Sequence, residues 1–136
     1  MTVVITPLFN AQADDLFEAW TDPAIMRDWL FKGDDSEIEN INLDLAVGGR
    51  FSILERTADG MIDHFGNYLL IDRPRLLCFS LEVPRHFSGQ SRVAIEFRQG
   101  PKDCEMVFQQ TGVAPEIVEA DWRRMFSRLA MVLLKR

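Results

Sequence analysis

The chain has 136 residues, 47% of them hydrophobic and 26% charged, a globular composition that excludes disorder and is too short for two ordinary domains. Its net charge of −6 argues against nucleic acids and anionic membranes as partners, which require clustered Lys and Arg. No apolar run approaches the roughly 20 residues that span a bilayer.

Met1 to Phe9 lacks a basic region followed by a long apolar stretch, so no signal peptide is expected. Cys78 and Cys104 form no CxxC pair. They read as reduced thiols of a cytoplasmic protein, a disulfide between them being the lesser alternative.

Thr2 to Phe9 is rich in β-branched and aromatic residues and reads as a strand, with Pro7 placing it at a sheet edge or bending it. From about Gln12 to Trp20 the spacing is helical, with Leu16, Phe17 and Trp20 on one face and Asp14 and Asp15 in the first turn, where carboxylates favour the helix dipole. Asp22 can cap a second, short helix that starts at Pro23 and carries Ile25, Met26 and Trp29. Gly33 to Ser36 is a loop.

From Glu37 the period changes to that of strands. Ile38, Ile41, Leu43 and Leu45 mark one irregular strand, and Gly48-Gly49 is a turn or bulge. Phe51 and Ile53 alternate along the next strand, and Ala58-Asp59-Gly60 closes a hairpin. Met61 to Ile71 is a long strand ended by Asp72-Arg73-Pro74. Leu76 to Val83 follows, then a loop from Pro84 to Gln90, a cleanly alternating strand from Ser91 to Phe97, and a last strand from Glu105 to Thr111. The final helix starts near Pro115 and carries Val118, Trp122, Met125, Phe126, Leu129 and Leu133 at helical spacing, with Glu116, Glu119 and Asp121 early and Lys135 and Arg136 at its end. Consecutive strands joined by short turns imply an antiparallel sheet, and the long helix must bury its stripe on that sheet.

Several segments carry a family resemblance: Leu16-Phe17-Glu18-Ala19-Trp20-Thr21-Asp22-Pro23, Trp29, Val47-Gly48-Gly49-Arg50-Phe51, His64 through Leu76, and Trp122 with Arg128-Leu129. In this order the chain resembles the activator of heat-shock protein 90 ATPase-like family of the SRPBCC (START-like) superfamily, over nearly its whole length, residues 1–136 forming a single START-like domain. The resemblance implies an α+β helix-grip fold. A curved antiparallel sheet of six or seven strands wraps a long C-terminal helix, two short helices follow strand one, and a cavity lies between sheet and helix. The superfamily's lipid carriers, cyclases and hormone receptors share that cavity and no catalytic motif, so fold alone does not name a reaction.

Alternation along the strands gives the residues expected to face the helix: Phe51, Ile53, His64, Tyr68, Leu70, Phe79, Leu81, Val93, Ile95, Phe97, Met106 and Phe108. The helix adds Trp122, Met125, Phe126 and Leu129, and Trp29 can close one end. Most of these side chains belong to a plain core. The remainder is expected to line a hollow suited to a small apolar or aromatic ligand. His64 and Tyr68 lie four apart, on one face and about 13 Å from each other. They are either hydrogen-bonded core residues, the orienters of a ligand's polar end, or, for His64, an acid or base. Asp63 points to the other face. His86 reads first as a solvated residue of the 84–90 loop, with the rim of the cavity mouth as the alternative, and Gln110, if inward, is a further polar contact.

No spacing of His and Cys suits a metal, no GxSxG motif is present, and the double glycine precedes no helix and forms no phosphate loop, so no cofactor or metal is expected and no catalytic residue is named. Ligand binding is the leading function. A cyclase- or isomerase-type enzyme using His64 or Tyr68, and a co-chaperone-like module, are the alternatives. Sheet edges and the apolar Leu69 and Ile71 leave a homodimer open.

Overall fold

The computed structural model of the chain describes residues 1–135. The long sheet begins with β1 (Thr2–Ile5) and β2 (Leu8–Phe9), followed by helices α1 (Ala13–Thr21) and α2 (Pro23–Met26). Six strands come next: β3 (Glu37–Leu43), β4 (Arg50–Thr57), β5 (Gly60–Asp72), β6 (Leu76–Leu81), β7 (Ser91–Gln99) and β8 (Cys104–Thr111). Helix α3 (Pro115–Leu134) closes the chain. All pairings are antiparallel and run β1-β8-β7-β6-β5-β4-β3, with β2 also on β8. This is the expected α+β architecture, an open antiparallel sheet with a long C-terminal helix.

Proline explains the break between β1 and β2. Ile5 faces Phe108 and Leu8 faces Glu105 in one unbroken register, but Pro7 has no N–H to give to the ladder. Its carbonyl still accepts from the Met106 N–H, and the interruption is tolerated because this is an edge strand. Asp22 caps α2 through a 3.0 Å hydrogen bond from the Ala24 N–H, and Pro23 occupies the first turn. The α2 helix ends at Met26, so Trp29 sits in the turns that follow it; its indole N–H donates to the Ala19 carbonyl at 3.0 Å. Leu45 lies beyond the end of β3 and is exposed. Lys135 caps α3; Arg136, expected to share that role, lies outside the described residues.

Two irregularities shape β5. At Gly66 a β-carbon would sit 1.9 Å from the Ser80 carbonyl oxygen, so only glycine lets β5 pass β6 there, and the next amide, Asn67 N–H, donates to the Ser80 hydroxyl at 2.9 Å. Between Tyr68 and Leu70 the register shifts by one residue. That bulge reverses which side chains face inward. Leu70, expected inside, is therefore exposed, while Ile71, expected on the surface, packs against the core; Leu69 is exposed as expected.

The centre of the molecule is solid. Trp20 lies edge-on to Trp29 at 4.7 Å between ring centroids and within 6.3 Å of Phe79, Phe108, Trp122 and Phe126. Its indole N–H reaches Met106 Sδ. The α3 stripe of Val118, Trp122, Met125, Phe126 and Leu129 is buried throughout.

Candidate functional site

The hollow lies at one end of the molecule. A cavity of about 210 Å³ opens between the N-terminal half of α3, the ends of β4, β5, β6 and β8, the segment after α2 and the loop after β6. Its buried floor is Phe31, Glu55, Ile62, His64, Leu81, Val83, Gln110, Val118, Trp122 and Met125. Its partly exposed rim is Lys32, Gly33, His86, Phe87, Asp121 and Arg124.

Of the residues that alternation places inside, His64, Leu81, Trp122 and Met125 line this cavity. Phe51, Ile53, Tyr68 and Phe79 surround a second void of only about 10 Å³, which is filled space in practice. Trp29, Ile95, Phe97, Met106, Phe108, Phe126 and Leu129 are buried in the packed centre and line neither space. His64 and Tyr68 share a face, and their surroundings separate them. Tyr68 packs on Phe51 and Phe79, and burial pushes its hydroxyl up to about 12.

His64 is 3% exposed and its Nε2 lies 3.1 Å from Glu55 Oε1. Glu55 reaches it because Ile53 faces His64 across the β4–β5 hairpin, which sets Glu55 diagonally opposite on the same face. The sequence carried that signal. Phe51, Ile53 and Glu55 alternate, which sets the Glu55 carboxylate on the inward face. Burial lowers the His64 ring below its ordinary value, with the Glu55 carboxylate opposing part of the shift. Burial would raise Glu55, but hydrogen bonds from His64 and Ser36 outweigh it and hold the carboxyl below its ordinary value. The resulting pair is a carboxylate beside a neutral imidazole. Among the described residues, His64 Nδ1 is the one buried side-chain polar atom with no hydrogen-bond partner.

Phe31, absent from the residues singled out by periodicity, completes the pole. Its ring stacks on the His64 imidazole at 4.1 Å and 10°, and meets Trp122 edge-on at 5.5 Å. The backbone there is left-handed (φ 61°), which for a bulky side chain costs roughly 1–3 kcal/mol. Three contacts hold it. The Phe31 N–H donates to Met125 Sδ at 3.0 Å, and the Arg128 guanidinium grips both the Lys32 carbonyl and the Asp34 carboxylate. His86 is exposed at the mouth, its ring centroid 6.1 Å from that of His64. Gln110 is inward and fully buried, but both ends of its amide are occupied: it accepts from the Trp122 indole at 2.8 Å and donates to Ser91 Oγ at 3.0 Å.

Among the described residues no cluster of His, Cys, Asp and Glu could hold a metal, and no helix is long and apolar enough to cross a membrane. Both cysteines are free thiols.

Solved structures share this fold. A protein from Chromobacterium violaceum superposes with a TM-score of 0.88 at 16% identity, over 97% of this chain and 96% of that one. An AHSA1-like protein from Aeromonas hydrophila does so at 0.82 and 21%, over 99% and 93%. CalU16 from Micromonospora echinospora gives 0.74 and 21%, over 97% of this chain and 75% of its own. None of the curated proteins compared matches the chain. The family model for Activator of Hsp90 ATPase homolog 1-like protein matches residues 10–133, which spans both helices after the edge strand, the whole strand run and nearly all of α3, and the chain therefore belongs to that family.

Proposed function

We propose that the chain binds a small, flat, largely apolar molecule in the cavity against α3. The observation that carries this reading is a space of about 210 Å³ with a buried aromatic and aliphatic floor and a single polar pole at Glu55 and His64. The volume sets the size of the guest. Drug-sized ligands occupy roughly 300–1,000 Å³, whereas an apolar cavity of about 150 Å³ takes benzene. A single substituted ring is the right scale.

The test is a thermal-shift and calorimetric screen of single-ring aromatics against the full chain. A guest at 100 times its Kd stabilises by about 2.7 kcal/mol, a shift of several degrees. Val118→Trp, which fills the floor, is expected to remove the shift while leaving the fold intact by circular dichroism. A panel with no binder at millimolar concentration would overturn the reading.

The Glu55–His64 pair favours a second reading, an enzyme in which His64 moves a proton on the bound molecule. His64→Gln that left turnover of an identified substrate unchanged would exclude it. Tyr68 has no part in this version, since it does not line the cavity. The family match supports a third reading, an interaction with a heat-shock protein 90, for which complex formation at micromolar concentration in a pull-down is the check.

A further inference from the structure

We infer that the polar pole of the cavity is a hydrogen-bond acceptor, His64 Nδ1, and that the guest is an aromatic molecule carrying a hydroxyl or N–H donor, of the phenol type. This rests on the ligand-binding reading above and names the chemistry of its site.

The argument starts from what Glu55 can do. An ionised carboxylate only accepts hydrogen bonds, so the 3.1 Å contact requires the proton on His64 Nε2. A neutral ring protonated there presents a lone pair at Nδ1. That atom is buried and has no partner, in a side chain 3% exposed. Buried polar atoms in folded proteins are almost always satisfied, and His64 is a lining residue of the cavity, so a donor on the guest is the partner that fits this atom.

The other polar groups of the floor are already committed. Gln110 is bonded to Trp122 and Ser91, and Glu55 is held by His64 and Ser36. Asp121 and Arg124 pair with each other at the rim, 3.0 Å apart. Burial keeps the imidazole neutral around pH 7, so the lone pair stays available. Phe31, locked over one face of the imidazole, fixes the ring plane and adds an aromatic wall beside the acceptor. The Glu55 carboxylate on the floor disfavours anionic guests, and the surrounding aromatic and aliphatic side chains favour an uncharged one. Glu55 touches no guest in this scheme; it is a positioning residue that sets the His64 tautomer.

Phenol, toluene and anisole distinguish these possibilities by isothermal titration of the full chain at pH 7.5. Phenol and toluene have nearly the same shape, but only phenol donates, and anisole carries the oxygen without the proton. Phenol is expected to bind about tenfold tighter than either. Nitrogen-detected NMR of His64 is expected to show an unprotonated Nδ1 in the free protein and a change in its shift with phenol alone. His64→Phe keeps an aromatic ring at this position and removes the acceptor, and the preference for phenol is expected to vanish with it. Equal binding of the three probes, a protonated Nδ1 in the free protein, or a preference that survives His64→Phe overturns the acceptor assignment and leaves the cavity reading standing. No binding of any probe overturns both.

Discussion

His64 concentrates the chemistry of this chain because three neighbours act on one ring: Glu55 fixes its proton, Phe31 covers its face, and the packed strands take away its water. The pH dependence of stability follows from the directions of the two shifts. As pH falls past about 6.5 the unfolded chain protonates His64 and the native state does not, so the unfolded state binds more protons and stability falls. Glu55, held low in the native state, acts in the same sense below about 4.5. The groups facing the ring are Glu55 and His86, with Asp63 acting from the opposite face of β5 and Lys32, Asp121 and Arg124 around the mouth. Melting temperature is therefore expected to decline from pH 7 to 5. His64→Gln, which keeps a donor for Glu55 but does not titrate, is expected to flatten that decline. A wild-type melting temperature constant over this range would contradict the neutral, buried ring.

At the scale of elements, two glycines separate two reasons for the same residue. Gly48 has φ 84° and open space around its missing β-carbon, so Gly48→Ala strains only the backbone, by roughly 1–2 kcal/mol. Gly66 is blocked by the Ser80 carbonyl at 1.9 Å, and Gly66→Ala must part β5 from β6, at about 3 kcal/mol or more. Urea denaturation of both variants checks the order; equal losses would mean that β6 yields easily. Much of this level was legible beforehand. Pro7 marked the edge strand, Asp22-Pro23 marked the start of α2, and clean alternation marked Ser91 to Phe97. The bulge after Tyr68 was not legible, because Leu69, Leu70 and Ile71 are all apolar and hold no alternation to show where the register slips. Nor was the contact of Phe31 with His64, which depends on a left-handed residue in a loop that no periodicity describes.

Across the whole molecule the tryptophans differ in where they reach. Trp20 and Trp29 sit in the filled centre, and Trp122 joins that centre to the cavity wall. A guest is expected to quench Trp122 fluorescence, and Trp122→Phe is expected to abolish the response while the emission of the other two indoles persists. Quenching that survives the substitution would place the guest elsewhere. The position of the hollow was the least legible feature of the site. It depends on how far α3 and the loops at 31–33 and 83–87 reach over the sheet, and those distances arise only when the chain has folded. The side chains that make the centre dense and those that shape the hollow are, with few exceptions, different residues. Ile62, Val83, Val118 and Phe87 shape the hollow, so substitutions among them are expected to alter its volume and lining while Trp20 and Trp29 keep their packing.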